Sequence, residues 1–257
     1  MNNTLAPVLF LSHGSPMRVL ESSPANTFLK SLAGRIATPK AIVVVSPHWE
    51  TTGLHFTQQA QLETIYDFWG FPNALNQIKY LADSPEWLHQ TLKRSLPHVA
   101  GTKRGLDHGA WSLLHLMYPK QNVPVVGLSL PRDASLAELY AVGEQLAGLR
   151  AQGIMLVTSG MATHNLAALA YQGEPNSWAL AFVEWLQHTV EQCNIQALLN
   201  YRQLAPGAQQ SHPRDEHLRP LFVALGAAGA QPAKLIHDSW ELKNGNNSSW
   251  LWGELNE

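Results

Sequence analysis

The chain has 257 residues, of which 45% are hydrophobic and 14% are charged, a composition typical of a globular protein and not of a disordered one. Its 17 Lys and Arg residues nearly balance its 19 Asp and Glu residues, so the net charge of -2 offers no basic surface for nucleic acid or for an anionic membrane. A single cysteine, Cys193, excludes an internal disulfide and a thiolate metal cluster.

Short apolar runs alternate with helical patterns along the chain, beginning with an apolar run at residues 8–11. This run is too short for a signal peptide or a membrane span, and no positively charged segment precedes it, so we expect a cytoplasmic protein. The pattern predicts strands at residues 8–12, 41–46, 54–57, 123–130, 154–159, 234–237 and 250–255. It predicts helices at residues 25–35, 86–96, 110–117, 135–151, 178–192 and 215–225.

The alternation of strands and helices is typical of a layered α/β domain. We therefore predict one domain over residues 1–257, with a three-layer α/β/α architecture around a central mixed, mostly parallel sheet. Either Asp133 or Ser135 is expected to cap the helix at 135–151, and Gly153 is expected to end it. Residues 244–247 are Asn and Gly and favour a hairpin turn, which predicts an antiparallel sheet edge near the C-terminus.

Twelve histidines stand out in the composition, because imidazole is the commonest metal ligand among side chains. Three of them come shortly after predicted strands: His13 after 8–12, His48 after 41–46 and His164 after 154–159. The carboxyl ends of parallel strands meet at one edge of a sheet, so we expect these imidazoles in one crevice. Their long separation in sequence indicates a catalytic metal site that the fold assembles. For His164, three roles stay open: an active-site base, a ligand or a capping residue.

Two further histidines are candidates for the same crevice. His108 precedes the predicted helix at 110–117, where a buried imidazole can face the strand ends. His217 is expected on the first turn of the helix at 215–225, next to Glu216. Adjacent helical residues point about 100° apart, so we expect only one of these two side chains to bind an ion.

Three tryptophans lie close to these histidines in sequence, namely Trp49, Trp69 and Trp111. Their indole rings are expected to wall a pocket for a flat aromatic substrate. His212, which precedes a proline, is expected to shape the chain before the last helix, with a contact to substrate as the alternative. The sequence has no phosphate-binding glycine loop, no nucleophile elbow and no His-Glu-x-x-His helix, so other chemistry finds little support.

Five segments, in order along the chain, resemble motifs of the class III, LigB-type extradiol ring-cleaving dioxygenases, and specifically their DOPA 4,5-dioxygenase-like branch. They are residues 11–17, 43–49, 66–72, 105–111 and 159–166. The resemblance runs over nearly the whole chain, although residues 161–163 and 211–215 depart from the family pattern. It implies an enzyme that opens the ring of a catechol-type, DOPA-like aromatic diol with O₂.

The resemblance also implies roles for the histidines. His13, His48 and His217 would be ligands of one divalent metal. His164 would be the acid/base residue or a close fourth ligand, and His108 would contact substrate or oxygen. Class III ring cleavage uses ferrous iron held by two histidines and a carboxylate, whereas three histidines equally suit zinc. We therefore expect Zn²⁺ in the purified protein and Fe²⁺ as the ion that supports ring cleavage.

Two rival functions use the same residues. A zinc hydrolase would activate water on a three-histidine zinc, with His164 as the proton shuttle. A binding protein without turnover would keep the metal site as a relic on the same scaffold. The intact set of candidate ligands argues against the relic, and the tryptophans near the site favour an aromatic substrate over the hydrolase.

Overall fold

A computed structural model describes residues 5–256 of the chain. Its strands are β1 (Val8–Ser12), β2 (Ala41–Thr51), β3 (His55–Thr57), β4 (Gln61–Leu62), β5 (Ala82–Asp83), β6 (Ala100–Thr102), β7 (Val125–Pro131), β8 (Ile154–Gly160), β9 (Lys234–His237), β10 (Trp240–Glu241), β11 (Gly245–Asn246) and β12 (Ser249–Trp252). Its α-helices are α1 (Pro24–Arg35), α2 (Glu86–Ser95), α3 (His108–Met117), α4 (Leu136–Leu146), α5 (Ser177–Glu191), α6 (Ile195–Leu199), α7 (Tyr201–Leu204), α8 (Ala208–Ser211) and α9 (Pro220–Ala228). None of the described helices is long and apolar enough to cross a membrane.

Eight strands form one sheet in the order β6-β3-β7-β2-β8-β1-β12-β9. The four central strands, β7, β2, β8 and β1, run parallel to one another. At one side of them β12 pairs antiparallel with β1, and β9 pairs antiparallel with β12. The predicted mixed, mostly parallel sheet with an antiparallel edge near the C-terminus is confirmed.

The two faces of the sheet bury separate apolar layers, because successive side chains of a strand point to opposite faces. In β1, Val8 and Phe10 pack on the face covered by α2, α4, α5 and α9. Leu9 and Leu11 pack on the other face, which α1 and α3 cover. Every residue of β1 is buried, as expected for a parallel strand with helices on both sides. The three-layer α/β/α architecture follows directly from these two layers.

Two boundaries near the candidate site differ from the prediction. β2 continues through Thr51, and its register with β7 is irregular between Val45 and Glu50, so His48 lies inside an irregular stretch of strand. The helix predicted from residue 215 begins instead at Pro220, where a residue without an N–H is well tolerated. His217 therefore lies in a turn before α9 and not on a helix.

The predicted cap and end of α4 are confirmed, whereas the predicted hairpin turn is shifted along the chain. Ser135 caps α4 in a reciprocal capping box with Glu138, and Gly153 takes a left-handed conformation with a φ of 81° after the short 3-10 helix that extends it. The hairpin turn predicted at 244–247 lies earlier, because Leu242 and Lys243 adopt positive φ between β10 and β11. This small hairpin lies between β9 and β12.

Helix α9 holds the turn that carries His217, and its backbone lies very close to α4. A Cβ atom on Gly226 would collide with the carbonyl oxygen of Tyr140 and would lie 2.9 Å from the backbone nitrogen of Glu144. Because both neighbours are backbone atoms, they cannot rotate away. The contact between these two helices therefore requires glycine at position 226.

We predict that Gly226→Ala lowers the free energy of unfolding by about 1–3 kcal/mol, the usual cost of overpacking, despite the higher helix propensity of alanine. Gly148→Ala is the matched control, because a Cβ atom there meets nothing within 4 Å. Urea denaturation of both variants measures the difference. Equal stability of the two variants would contradict the close packing of α4 and α9.

Candidate metal centre

The ends of β1 and β8 bring three chain segments together at one edge of the sheet. The backbone N–H of His13 donates to the carbonyl of Gly160 over 3.1 Å, and the N–H of Met161 donates to the carbonyl of His217 over 3.0 Å. A Cβ atom on Gly160 would collide with that same carbonyl of His217 and would lie 2.8 Å from the ring of Phe10. Glycine at this position thus lets the turn with His217 approach the strand ends.

His13, His48 and His217 form a compact group of potential metal ligands. Each offers one ring nitrogen, and the three nitrogens lie within 4.8 Å of one another. The Nε2 atoms of His13 and His48 are 3.2 Å apart. Two imidazole nitrogens bound to one tetrahedral zinc at its usual bond length lie about 3.3 Å apart. The spacing of these two nitrogens therefore fits a shared ion.

Hydrogen bonds fix which nitrogen of His13 is free. The hydroxyl of Ser159 donates its single proton to the carbonyl of Gly109 over 2.5 Å. It must then accept the second hydrogen bond, of 2.8 Å, from Nδ1–H of His13. The Nε2 atom of His13 consequently carries a lone pair and is free to bind a metal.

Asp67 lies beside both His48 and His108. Its Oδ1 atom accepts hydrogen bonds of 2.9 Å from both the ring Nδ1–H and the backbone N–H of His108. Its Oδ2 atom lies 3.5 Å from Nδ1 of His48. Burial alone would raise the pKa of Asp67, but the N–H groups of His108 lower this pKa to about 2. Asp67 is therefore a carboxylate at neutral pH.

Glu216 lies against His217 and His164. Its Oε1 atom is 2.9 Å from Nδ1 of His217 and 3.3 Å from Nδ1 of His164. The two imidazole rings are stacked, with their centroids 3.5 Å apart and their planes inclined by 14°. Burial would raise the pKa of Glu216, but the neighbouring imidazoles hold this pKa well below its usual range.

The three candidate ligands are uncharged at neutral pH. Burial, together with the neighbouring histidines, lowers the pKa of His13 well below its usual range, and burial does the same for His217. For His48, burial and the nearby ring of His108 lower the pKa to about 4. Neutral imidazole is the form that binds metals, so this environment keeps the nitrogen lone pairs available.

The structure separates the three predicted tryptophans and does not join them into one wall. Trp69 is 88% exposed. Trp49 is buried, and the guanidinium of Arg104 lies 5.1 Å above its ring. Trp111 has no exposed surface and donates its indole N–H to the carbonyl of Ile65, so it belongs to the core. The aromatic side chain beside the histidines is Phe68, whose ring meets His108 edge-on at 5.8 Å.

Sequence reasoning did not select Ser159, Asp67 or Phe68, although all three lie inside segments that carry the family resemblance. Their place within these segments was the signal that the sequence offered. The alternative substrate contact of His212 finds no support, because this side chain is fully buried and its Nε2 pairs with the carbonyl of Ala162. Burial lowers the pKa of His212 to about 3, and the residue is part of the core.

Comparison with protein families gives one match over most of the chain. The model of the family described as the catalytic LigB subunit of aromatic ring-opening dioxygenase matches residues 7–249. A structural match is equally extensive. A crystal structure of an uncharacterized protein from Escherichia coli K12 has a TM-score of 0.82 and 35% sequence identity, and the match covers 96% of this chain and 99% of that one.

Several similar proteins carry the name 4,5-DOPA dioxygenase extradiol, among them the following two. The protein from Beta vulgaris is 38% identical to this chain, over 93% of this chain and 93% of its own length. The protein from Escherichia coli (strain K12) is 40% identical, over 90% of this chain and 88% of its own length. The family match over residues 7–249 covers every segment that contributes to the histidine cluster.

We predict that single substitutions to alanine of His13, His48 and His217 each abolish the binding of one divalent metal per chain, because each removes one of three converging nitrogens. Elemental analysis after dialysis against Zn²⁺ measures the occupancy. His188→Ala is the control, since His188 lies exposed on α5. Glu216→Ala should retain stoichiometric metal, because Glu216 is predicted not to bind the ion. Full occupancy in a folded His13, His48 or His217 variant would refute the ligand assignment.

Proposed function

The chain belongs to the LigB family of aromatic ring-opening dioxygenases, and we propose that it opens the ring of a catechol-type substrate beside its two hydroxyl groups, using O₂ and one divalent metal. The observation that carries the proposal is the convergence of three neutral imidazoles at the carboxyl ends of parallel strands. The relatives named for 4,5-DOPA favour a DOPA-like catechol as substrate.

We propose His13, His48 and His217 as the residues that hold the metal. Their uncharged, buried rings fit a divalent ion, and Ser159 leaves Nε2 of His13 free for it. Nitrogen ligands of this kind suit both zinc and iron. When bound, ferrous iron supplies the electron density that allows O₂ to react with an aromatic diol. We expect zinc to compete for the same three nitrogens and to give a protein without this redox chemistry.

His164 is proposed as the acid/base residue. Its ring lies beside the three candidate ligands, stacked on His217, and its Nδ1 faces the carboxylate of Glu216. With Nδ1 directed at Glu216, we propose Nε2 as the atom that exchanges a proton. A catechol must lose phenolic protons before it chelates a metal, and the later steps of ring opening need a proton donor. An imidazole nitrogen can both accept and donate a proton, so His164 can serve both steps.

His108 and Phe68 are proposed to line the substrate-binding site. Asp67 accepts from Nδ1–H of His108, so Nε2 is the ring atom that remains for a substrate oxygen or for O₂. The ring of His108 packs against His48 with centroids 4.0 Å apart, which keeps it next to the candidate ligands. Phe68 presents an apolar edge beside it. A flat aromatic ring can pack against such an apolar edge.

The test of the proposed function is an anaerobic reconstitution with Fe²⁺, followed by a DOPA-like catechol and then air. We expect O₂ uptake equal to catechol consumed and a yellow ring-opened product. The zinc-loaded protein serves as the matched control and is expected to leave the catechol intact. Ester hydrolysis by the zinc form, with no O₂ uptake by the iron form, would support the rival hydrolase and overturn the proposal.

We predict that His164→Ala retains iron but loses turnover by a factor on the order of 10² to 10⁴, the usual effect of removing a positioned acid/base. Iron occupancy and O₂ uptake are measured on the same preparation, with His188→Ala as the control. A large loss of iron would instead identify His164 as a ligand. Unchanged turnover would remove His164 from the mechanism.

A further inference from the structure

Outside the three candidate ligands, one carboxylate oxygen contacts two imidazoles with different proposed tasks. Oε1 of Glu216 lies on Nδ1 of His217, a proposed ligand, and on Nδ1 of His164, the proposed acid/base. A carboxylate oxygen has no proton to give, so Nδ1 of His217 carries the hydrogen of its 2.9 Å hydrogen bond. The same oxygen, 3.3 Å from Nδ1 of His164, favours a hydrogen on that nitrogen as well. In the neutral form of each ring, Nε2 then carries the lone pair.

We propose that Glu216 is a positioning residue that fixes the tautomer and orientation of His164 and His217 together. The inference rests on the proposed function for the role of each histidine, and the preference for hydrogen on Nδ1 rests on the contacts with Oε1. With Nδ1–H on Glu216, His217 presents the lone pair of Nε2 to the metal. With the same arrangement, His164 presents Nε2 to the proton of the substrate. A single carboxylate thus orients both rings with Nε2 available, for the metal in His217 and for proton transfer in His164.

The surroundings of Glu216 support a dedicated role over an incidental surface ion pair. The side chain is only 13% exposed, whereas ion pairs on an open surface are screened by water. Arg214 lies outside it, with Nε 3.4 Å from Oε2, and also pairs with Glu50 at the end of β2. Arg214 therefore leaves Oε1 to the two histidines. The nearly parallel stack of the two rings further restricts how either ring can turn.

A related arrangement, with one carboxylate oxygen for each ring, lies on the other side of His13. Asp67 accepts from Nδ1–H of His108, a proposed catalytic residue, and its second oxygen faces Nδ1 of His48, a proposed ligand. In both cases one carboxylate serves a ligand histidine and a neighbouring histidine with another task. This repetition indicates that the contact of Glu216 with two rings is a feature of the site and not a chance approach.

The test is long-range ¹H–¹⁵N NMR of the metal-free protein, which reports the protonated nitrogen of each histidine without any turnover. Signals are assigned with His164→Gln and His217→Gln. We expect both rings of the unsubstituted protein as Nδ1–H tautomers. In Glu216→Leu, which removes the acceptor, we expect the Nε2–H form to appear in both rings. Asp215→Asn is the matched control and should leave both tautomers unchanged. Within residues 5–256, the ion pair of the Asp215 carboxylate is with Arg202, at 4.0 Å, and not with either ring.

A kinetic measurement on the iron-loaded protein completes the test. Because Glu216 is proposed to act through the two rings, Glu216→Leu should lower kcat by about 10- to 100-fold and leave KM for the catechol nearly unchanged. The inference is overturned if His164 or His217 of the unsubstituted protein carries its proton on Nε2, a result that needs no folded variant. It is also overturned if Glu216→Leu matches the unsubstituted protein in both spectrum and kcat. Absence of ring cleavage by the unsubstituted protein would refute the proposed function alone.

Discussion

Several imidazole rings packed into one buried space impose the constraint on which the site depends. Charged rings would repel one another there, and a buried N–H group without an acceptor is costly. The protein keeps the candidate ligands neutral and places a hydrogen-bond acceptor behind three of the rings. Ser159 serves His13, Asp67 serves His108, and Glu216 serves His217. The lone pairs are thereby left to face the interior of the cluster.

The α/β/α fold supplies these partners because parallel strands deliver their carboxyl ends to one edge of the sheet. β1 and β8 end side by side, so His13 and Ser159 come from adjacent strands. The irregular stretch of β2 presents His48 from a third strand, and the packing of α9 on α4 holds the turn with His217. Each ligand thus depends on a different long-range contact, which explains why no local sequence motif contains the site.

The sequence predicted the layers, the mixed sheet and the family, because buried strands and the five motifs leave strong signals. It also placed His13 and His48 near one sheet edge. The apolar pattern predicts a helix from residue 215, whereas α9 begins at Pro220. The prediction of His217 as a ligand therefore rests on the family resemblance. Side-chain partners such as Asp67 follow no periodic pattern and emerge only from three-dimensional packing. Trp111 was predicted to wall the pocket but lies in the core. Proximity in sequence to a site residue does not distinguish a core indole from one that lines a pocket.

We propose that three neutral imidazoles from three chain segments hold one metal ion. Anomalous diffraction from crystals of the zinc-loaded protein, recorded at the zinc edge, locates the ion. We expect a single peak at about 2.0–2.1 Å from the Nε2 atoms of His13, His48 and His217, with the carboxylates of Asp67 and Glu216 outside bonding distance. A peak bound through either carboxylate, or a zinc ion away from these three rings, would show that the ligand assignment is wrong.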